Sequence, residues 1–187
     1  SLMFTLRSSA AVRGVLLETS RGCPWSCSFC SCPTIAGHRM RYRSEESLDA
    51  EVKLLKEKYG VEGFMLTDDM FTVSMDHIAK VCKIMKRYGM TWTAQARTHA
   101  VTEEMLHMMK DAGCVQIDFG VESGSQRVLD DIYNKKATTD HARRAFALCK
   151  EVGIRAMANL MLGAPTETEE EMRSTLQLAK EIKPDYV

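Results

Sequence analysis

An excess of either charge is missing from this sequence, whose 187 residues carry 25 Lys and Arg against 25 Asp and Glu. A neutral total lacks the electrostatic footprint of a polybasic nucleic-acid binder, and no acidic tail is present to serve as an interaction segment. No apolar run reaches the roughly 18 residues that a membrane-spanning helix needs, and no signal peptide opens the chain, so a reducing, cytoplasmic setting is expected. Low-complexity linkers are absent as well, which argues for one domain over residues 1–187. At this length about 70% of the unfolded surface can be buried on folding, and a 45% hydrophobic composition supplies the core. Ser1-Leu2 ahead of Met3 reads as vector residue, and the ending at Tyr186-Val187 reads as a cut.

What is present in quantity is cysteine. The seven divide into a tight group, Cys23, Cys27, Cys30 and Cys32, and three singles in apolar surroundings, Cys82, Cys114 and Cys149. The singles read as small buried hydrophobes.

One phrase recurs along the chain: a charged helix end, a glycine, then a short apolar run. It occurs at Gly60, Gly89, Gly113 and Gly153. Glycine there can take the left-handed conformation that ends a helix, and the preceding Lys or Arg suits the negative end of the helix dipole. Start signals lie upstream at Ser44, Ser74, Thr102 and Thr139, with a fifth at Thr168, whose capping-box partner is Glu171. Between starts and stops the apolar positions keep helical spacing. Between stops and starts, strands are expected at 12–17, 63–66, 91–96, 115–121 and 156–162, the last three running nearly apolar as strands covered on both faces do. The repeat predicts an α/β protein with a parallel sheet: a partial (β/α)6 TIM-like barrel lined outside by helices and cut off at the start of a sixth strand, Pro184-Asp185-Tyr186-Val187. An open Rossmann-like sheet is the other architecture this pattern allows.

In such a barrel functional side chains gather where strands end. The five strand exits carry Thr19–Cys30, Thr67-Asp68-Asp69, Arg97-Thr98, Glu122-Ser123-Gly124-Ser125 and Gly163–Glu167. The first is chemically the most pointed. Cys23, Cys27 and Cys30 are spaced C-x3-C-x2-C, and soft thiolates select zinc or iron–sulfur clusters. Structural zinc takes four ligands, normally as two separated pairs; here no second pair follows, and His38, His77, His99, His107 and His141 are scattered. Three cysteines on a cubane cluster leave one iron open to a small molecule. Cys32 reads as a spectator thiol.

With Phe29 before its last cysteine, this motif resembles that of the radical S-adenosylmethionine (SAM) superfamily. The resemblance runs over essentially the whole chain. Thr67-Asp68-Asp69 lies where many members have Gly-Gly-Glu, which implies a contact to the methionine amino group through Asp68 or Asp69 or a backbone carbonyl. Glu122 with Ser123 is similar to the ribose-binding segment, and Met161 with Gly163 to the stretch that packs on adenine. Arg97 or Lys136 is left to pair with the methionine carboxylate. The phrases Thr19–Pro24, Thr67–Thr72 and Gly120–Ser125 most resemble the subgroup with an N-terminal cobalamin-binding domain, which this sequence lacks. That subgroup includes methyltransferases and a porphyrin-pathway cyclase.

The resemblance implies a 4Fe-4S cluster on Cys23, Cys27 and Cys30, SAM on its open iron, and cobalamin through an absent domain. It implies reductive cleavage of SAM to a 5′-deoxyadenosyl radical that abstracts hydrogen, in service of methyl transfer or cyclisation, with flavodoxin or ferredoxin as electron donor. Plainer readings stand beside it: a zinc-binding module, an inactive fragment of such an enzyme, Asp68 and Asp69 as turn caps, and Arg97 and Lys136 as solvated charges. For Glu122, next to a buried strand, a ligand contact outweighs a core ion pair.

Overall fold

The computed structural model describes residues 13–187; Ser1-Leu2 and Val12, expected to begin the first strand, lie outside them. In chain order come β1 (Gly14–Leu17), β2 (Ser20–Arg21), a four-residue helix α1 (Cys32–Ile35), β3 (Arg41–Tyr42), α2 (Glu45–Tyr59), β4 (Gly63–Leu66), α3 (Met75–Tyr88), β5 (Thr91–Arg97), α4 (Glu103–Asp111), β6 (Cys114–Glu122), α5 (Thr139–Val152), β7 (Arg155–Leu160) and α6 (Glu169–Ile182).

The helices start where hydroxyls can cap them. Ser44, Ser74 and Thr102 each accept the backbone N–H three residues on, and Thr168 and Glu171 form the expected reciprocal box. α5 differs by one residue. Its cap is Thr138, not Thr139, because the ring of His141 reaches back to the Thr138 N–H and closes a capping box there. Gly60, Gly89 and Gly153 end their helices in the left-handed region, while α4 closes at Ala112, with Gly113 one step beyond.

The five long strands are parallel and ordered β1-β4-β5-β6-β7, each new strand added on the same side of the last. A doubly wound sheet reverses direction partway; this one never does, and its crossover helices pack in sequence, α2 on α3, α3 on α4, α4 on α5 and α5 on α6. The result is part of a barrel, and Tyr186 continues it by bridging Met157 in parallel. The core lies between sheet and helices, with Phe64, Trp92, Ile117, Phe119, Ile78 and Leu106 fully buried. Cys82, Cys114 and Cys149 are buried there; burial pushes the thiols of Cys82 and Cys149 up to about 12 and raises that of Cys114 as well.

The concave face is another matter. Along β5 and β6, Trp92, Ala94, Ile117 and Phe119 face the helices, while Gln95, Gln116 and Asp118 alternate with them. The expectation of strands apolar on both faces therefore holds for one face only: the other is a polar lumen.

A candidate cluster and cofactor site at the strand ends

The segment from Ser20 to Tyr42 leaves β1 and returns through a two-stranded pairing, Ser20 with Tyr42 and Arg21 with Arg41, so the cysteine loop projects from a closed base. Gly22 has φ +103°, and a Cβ there would lie 2.5 Å from the Arg39 carbonyl oxygen. No other residue fits that approach. Its N–H donates to Asp69 Oδ2 at 2.7 Å, which fastens the loop to the end of β4. The far side is fastened too: Ser28 N donates to the Tyr133 carbonyl at 3.0 Å, and Asn134 Nδ2 to that of Ser26 at 2.9 Å.

These ties bring Cys23, Cys27 and Cys30 to the rim of a cavity of about 290 Å³ at the carboxyl ends of the strands, whose wall also holds Phe29, Asp69, Arg97, Glu122 and Lys135. From the lumen Gln95, Asp118 and Asn159 complete it. Burial raises the thiol of Cys23, against a backbone hydrogen bond from Trp25 and the charge of Arg97. Burial and the neighbouring carboxylate of Asp69 push Cys32 up to about 12. Cys32 does not line the cavity.

Arg97 is buried at the end of β5, its Nη1 donating to Cys27 Sγ at 3.0 Å. Glu122, at the end of β6, has φ +67°, unusual for a residue with a side chain. Its carboxylate accepts from Lys135 Nζ at 2.9 Å, with both side chains buried. Lys135 also stands 5.8 Å from the ring centre of Phe29. Gly120 is what makes room for this pair, since a Cβ on it would press on Glu122 Oε1 and lie 2.9 Å from Lys135 Nζ.

Other residues singled out in the sequence lie behind this wall. Asp68 is fully buried and accepts from Thr19 N at 2.7 Å, Thr19 Oγ1 at 2.5 Å and Ser20 Oγ at 2.6 Å, so its carboxylate pins the exit of β1 to that of β4. Burial pushes that carboxyl up, but the hydrogen bonds from His77, Ser20 and Thr19 together outweigh it and hold it below the usual carboxylate range. Ser123 shares a hydrogen bond with Thr175 and caps Ser125 N. Met161 packs beside Val128, Leu129 and Tyr133, and its N–H donates to the Glu122 carbonyl. Gly163 N donates to Glu167 Oε2 at 2.6 Å. Lys136 is exposed, and the lysine that enters the cavity is its neighbour Lys135. Sequence reasoning missed Lys135, Gln95 and Asp118, and singled out Asn159 only as the start of the adenine-packing stretch; the alternation of polar residues along the strands was the signal for Gln95 and Asp118.

The donor set fits a cluster better than a single ion. Among the described residues no three His, Cys, Asp or Glu side chains meet closely enough to hold one metal ion. A cubane spreads its thiolates over separate iron corners, and Arg97 has two buried N–H atoms, Nε and Nη2, without partners beside it.

Comparison with known proteins agrees. The radical SAM superfamily model matches residues 17–179, and the chain belongs to that superfamily. An uncharacterized methyltransferase of Pyrococcus horikoshii is 35% identical over 92% of this chain and 38% of its own length. The cytidylyl-2-hydroxyethylphosphonate methyltransferase of Streptomyces wedmorensis is 31% identical over 88% of this chain and 32% of its own. The chain thus spans about a third of these relatives. Among solved structures, the radical SAM methyltransferase TsrM of Kitasatospora setae superposes with a TM-score of 0.82 at 22% identity, over 91% of this chain and 34% of its own. That likeness concerns the fold. TsrM has also been seen with cobalamin and a [4Fe-4S] cluster bound. Among the described residues no helix is long and apolar enough to cross a membrane.

Proposed function

We propose that this chain is the core of a longer radical SAM enzyme, in which Cys23, Cys27 and Cys30 hold a 4Fe-4S cluster and the adjoining cavity takes SAM. The observation that carries this reading is the convergence of three cysteines from one loop on a cavity that also presents Arg97, Asp69 and the Glu122–Lys135 pair. When bound, such a cluster supplies one electron to the sulfonium of SAM, releasing methionine and a 5′-deoxyadenosyl radical. The chain's own residues bind and orient. The free N–H groups of Arg97 suit the methionine carboxylate, and Asp69 on the same wall suits the amino group. Glu122 suits the ribose hydroxyls, with Lys135 holding its carboxylate in place at 2.9 Å. Phe29 lines the cavity and stands edge-on to Tyr133.

Methyl transfer is the reaction class to which the methyltransferase relatives lend support, cobalamin held outside this segment is suggested by the fold neighbour TsrM, and cyclisation is the second reading. Cys30 is exposed, so a low-potential donor such as flavodoxin or ferredoxin has access to the cluster edge. Seven free cysteines suit a reducing, cytoplasmic compartment.

Anaerobic reconstitution tests the ligand assignment. About four iron and four sulfide per chain are expected for wild type and for Cys32→Ala, and well under half of that for Cys27→Ala. Zinc in place of iron, or full loading of Cys27→Ala, would overturn it.

A further inference from the structure

Arg97 has surroundings that a guanidinium rarely keeps. It is 6% exposed, it makes no ion pair among the described residues, and its ring-like head lies over Trp25 at 4.7 Å from the ring centre. Trp25 is itself fixed edge-on against His99, with ring centres 5.4 Å apart. Among the described residues the one hydrogen-bond partner of this buried charge is Cys27 Sγ, 3.0 Å from Nη1. A buried cation without a carboxylate is costly. A neutral thiol is a poor acceptor and compensates little; a sulfur carrying negative charge compensates well.

We infer that Arg97 is a positioning residue that sets the reduction potential of the cluster through its hydrogen bond to Cys27. This rests on the ligand assignment proposed above. Taking up one electron adds one negative charge to the cluster and forms or breaks no bond; dithionite or another one-electron donor supplies it. A positive charge and an N–H on a ligand sulfur stabilise the reduced form more than the oxidised one, and burial leaves that charge poorly screened. Arg97 therefore raises the potential and makes the cluster easier to reduce. The two unpartnered N–H atoms, Nε and Nη2, remain available to a ligand in the cavity, so one side chain serves both cluster and cofactor.

The test is a potentiometric titration, followed by electron paramagnetic resonance, of reconstituted wild type, Arg97→Lys and Arg97→Met without SAM. Methionine preserves a stem to pack on Trp25 and removes charge and donor together. The midpoint is expected to fall in Arg97→Met, with Arg97→Lys between it and wild type. Equal midpoints in all three, at equal iron content, would overturn the inference. Should the variants fail to fold, wild type labelled with 15N in the arginine guanidinium gives the answer: a nitrogen hyperfine coupling to the reduced cluster is expected, and its absence refutes the contact. A wild type that assembles no cluster would defeat the proposed function and this inference with it.

Discussion

Glu122 and Lys135 join two otherwise unfavourable features, a carboxylate on left-handed backbone and an ammonium buried to 4% exposure, into one neutral unit. That unit depends on the missing side chain of Gly120. Gly120→Ala should displace the pair and cost about 1–3 kcal/mol, measurable by urea denaturation of the cluster-free protein, with SAM affinity falling while iron content is retained. His99 makes a prediction in pH. Burial, followed by the charges of Arg97, His141 and Lys135, lowers it to about 4. An unfolded histidine titrates near 6.5, so between about pH 6.5 and 4 the unfolded chain binds a proton that the folded chain refuses, and stability falls as pH falls. His99→Gln should flatten the urea midpoint across that window. An unchanged slope would remove His99 as its cause.

The element that decides the site is the loop after β1, and Asp68 is its anchor rather than a wall of the cavity. Its carboxyl is held below the usual range on folding, so its contribution is present above about pH 4 and lost as pH falls through the folded value. Asp68→Asn removes charge-assisted bonds and should cost about 1–3 kcal/mol. Faster amide exchange through Gly22–Ser31 is the accompanying sign that the loop has come loose. At the start of α5, Thr138→Ala should cost about 1 kcal/mol and Thr139→Ala less than half of that, read from thermal or urea midpoints. Helices α2 to α5 were legible because each carries its own punctuation, a hydroxyl before and a glycine at or just past its end, which acts within a few residues; α6 has the hydroxyl, Thr168, but ends at Lys183 ahead of Pro184. Thr138 and Thr139 could not be separated because the box closes through a histidine, which capping rules for Glu and Gln do not cover. The short pairing of β2 with β3 was hidden, since two-residue strands leave no periodicity. Asp68 and Asp69 are adjacent and alike in sequence, and only the direction of the backbone at the end of β4 sends one into the protein and the other to the cavity.

At the scale of the whole molecule, the repeat of strand and helix was enough to expect a parallel sheet but could not choose between barrel and doubly wound forms. The strand order chooses, because all five long strands follow one another in sequence. That order gathers every strand exit at one end, which is why cysteines from residue 23 onward meet Glu122 and Lys135 from a hundred residues later. The cysteine spacing announced the chemistry, while the lysine that completes the wall was indistinguishable from its neighbour until the chain was folded. The central claim is that this wall binds SAM beside a cluster held by Cys23, Cys27 and Cys30. The most direct measurement is 5′-deoxyadenosine formed from SAM by the anaerobically reconstituted protein with dithionite, set beside Cys27→Ala. Product from wild type and none from Cys27→Ala is the expected result; no product from a wild type with a full cluster, or equal product from both, would contradict it.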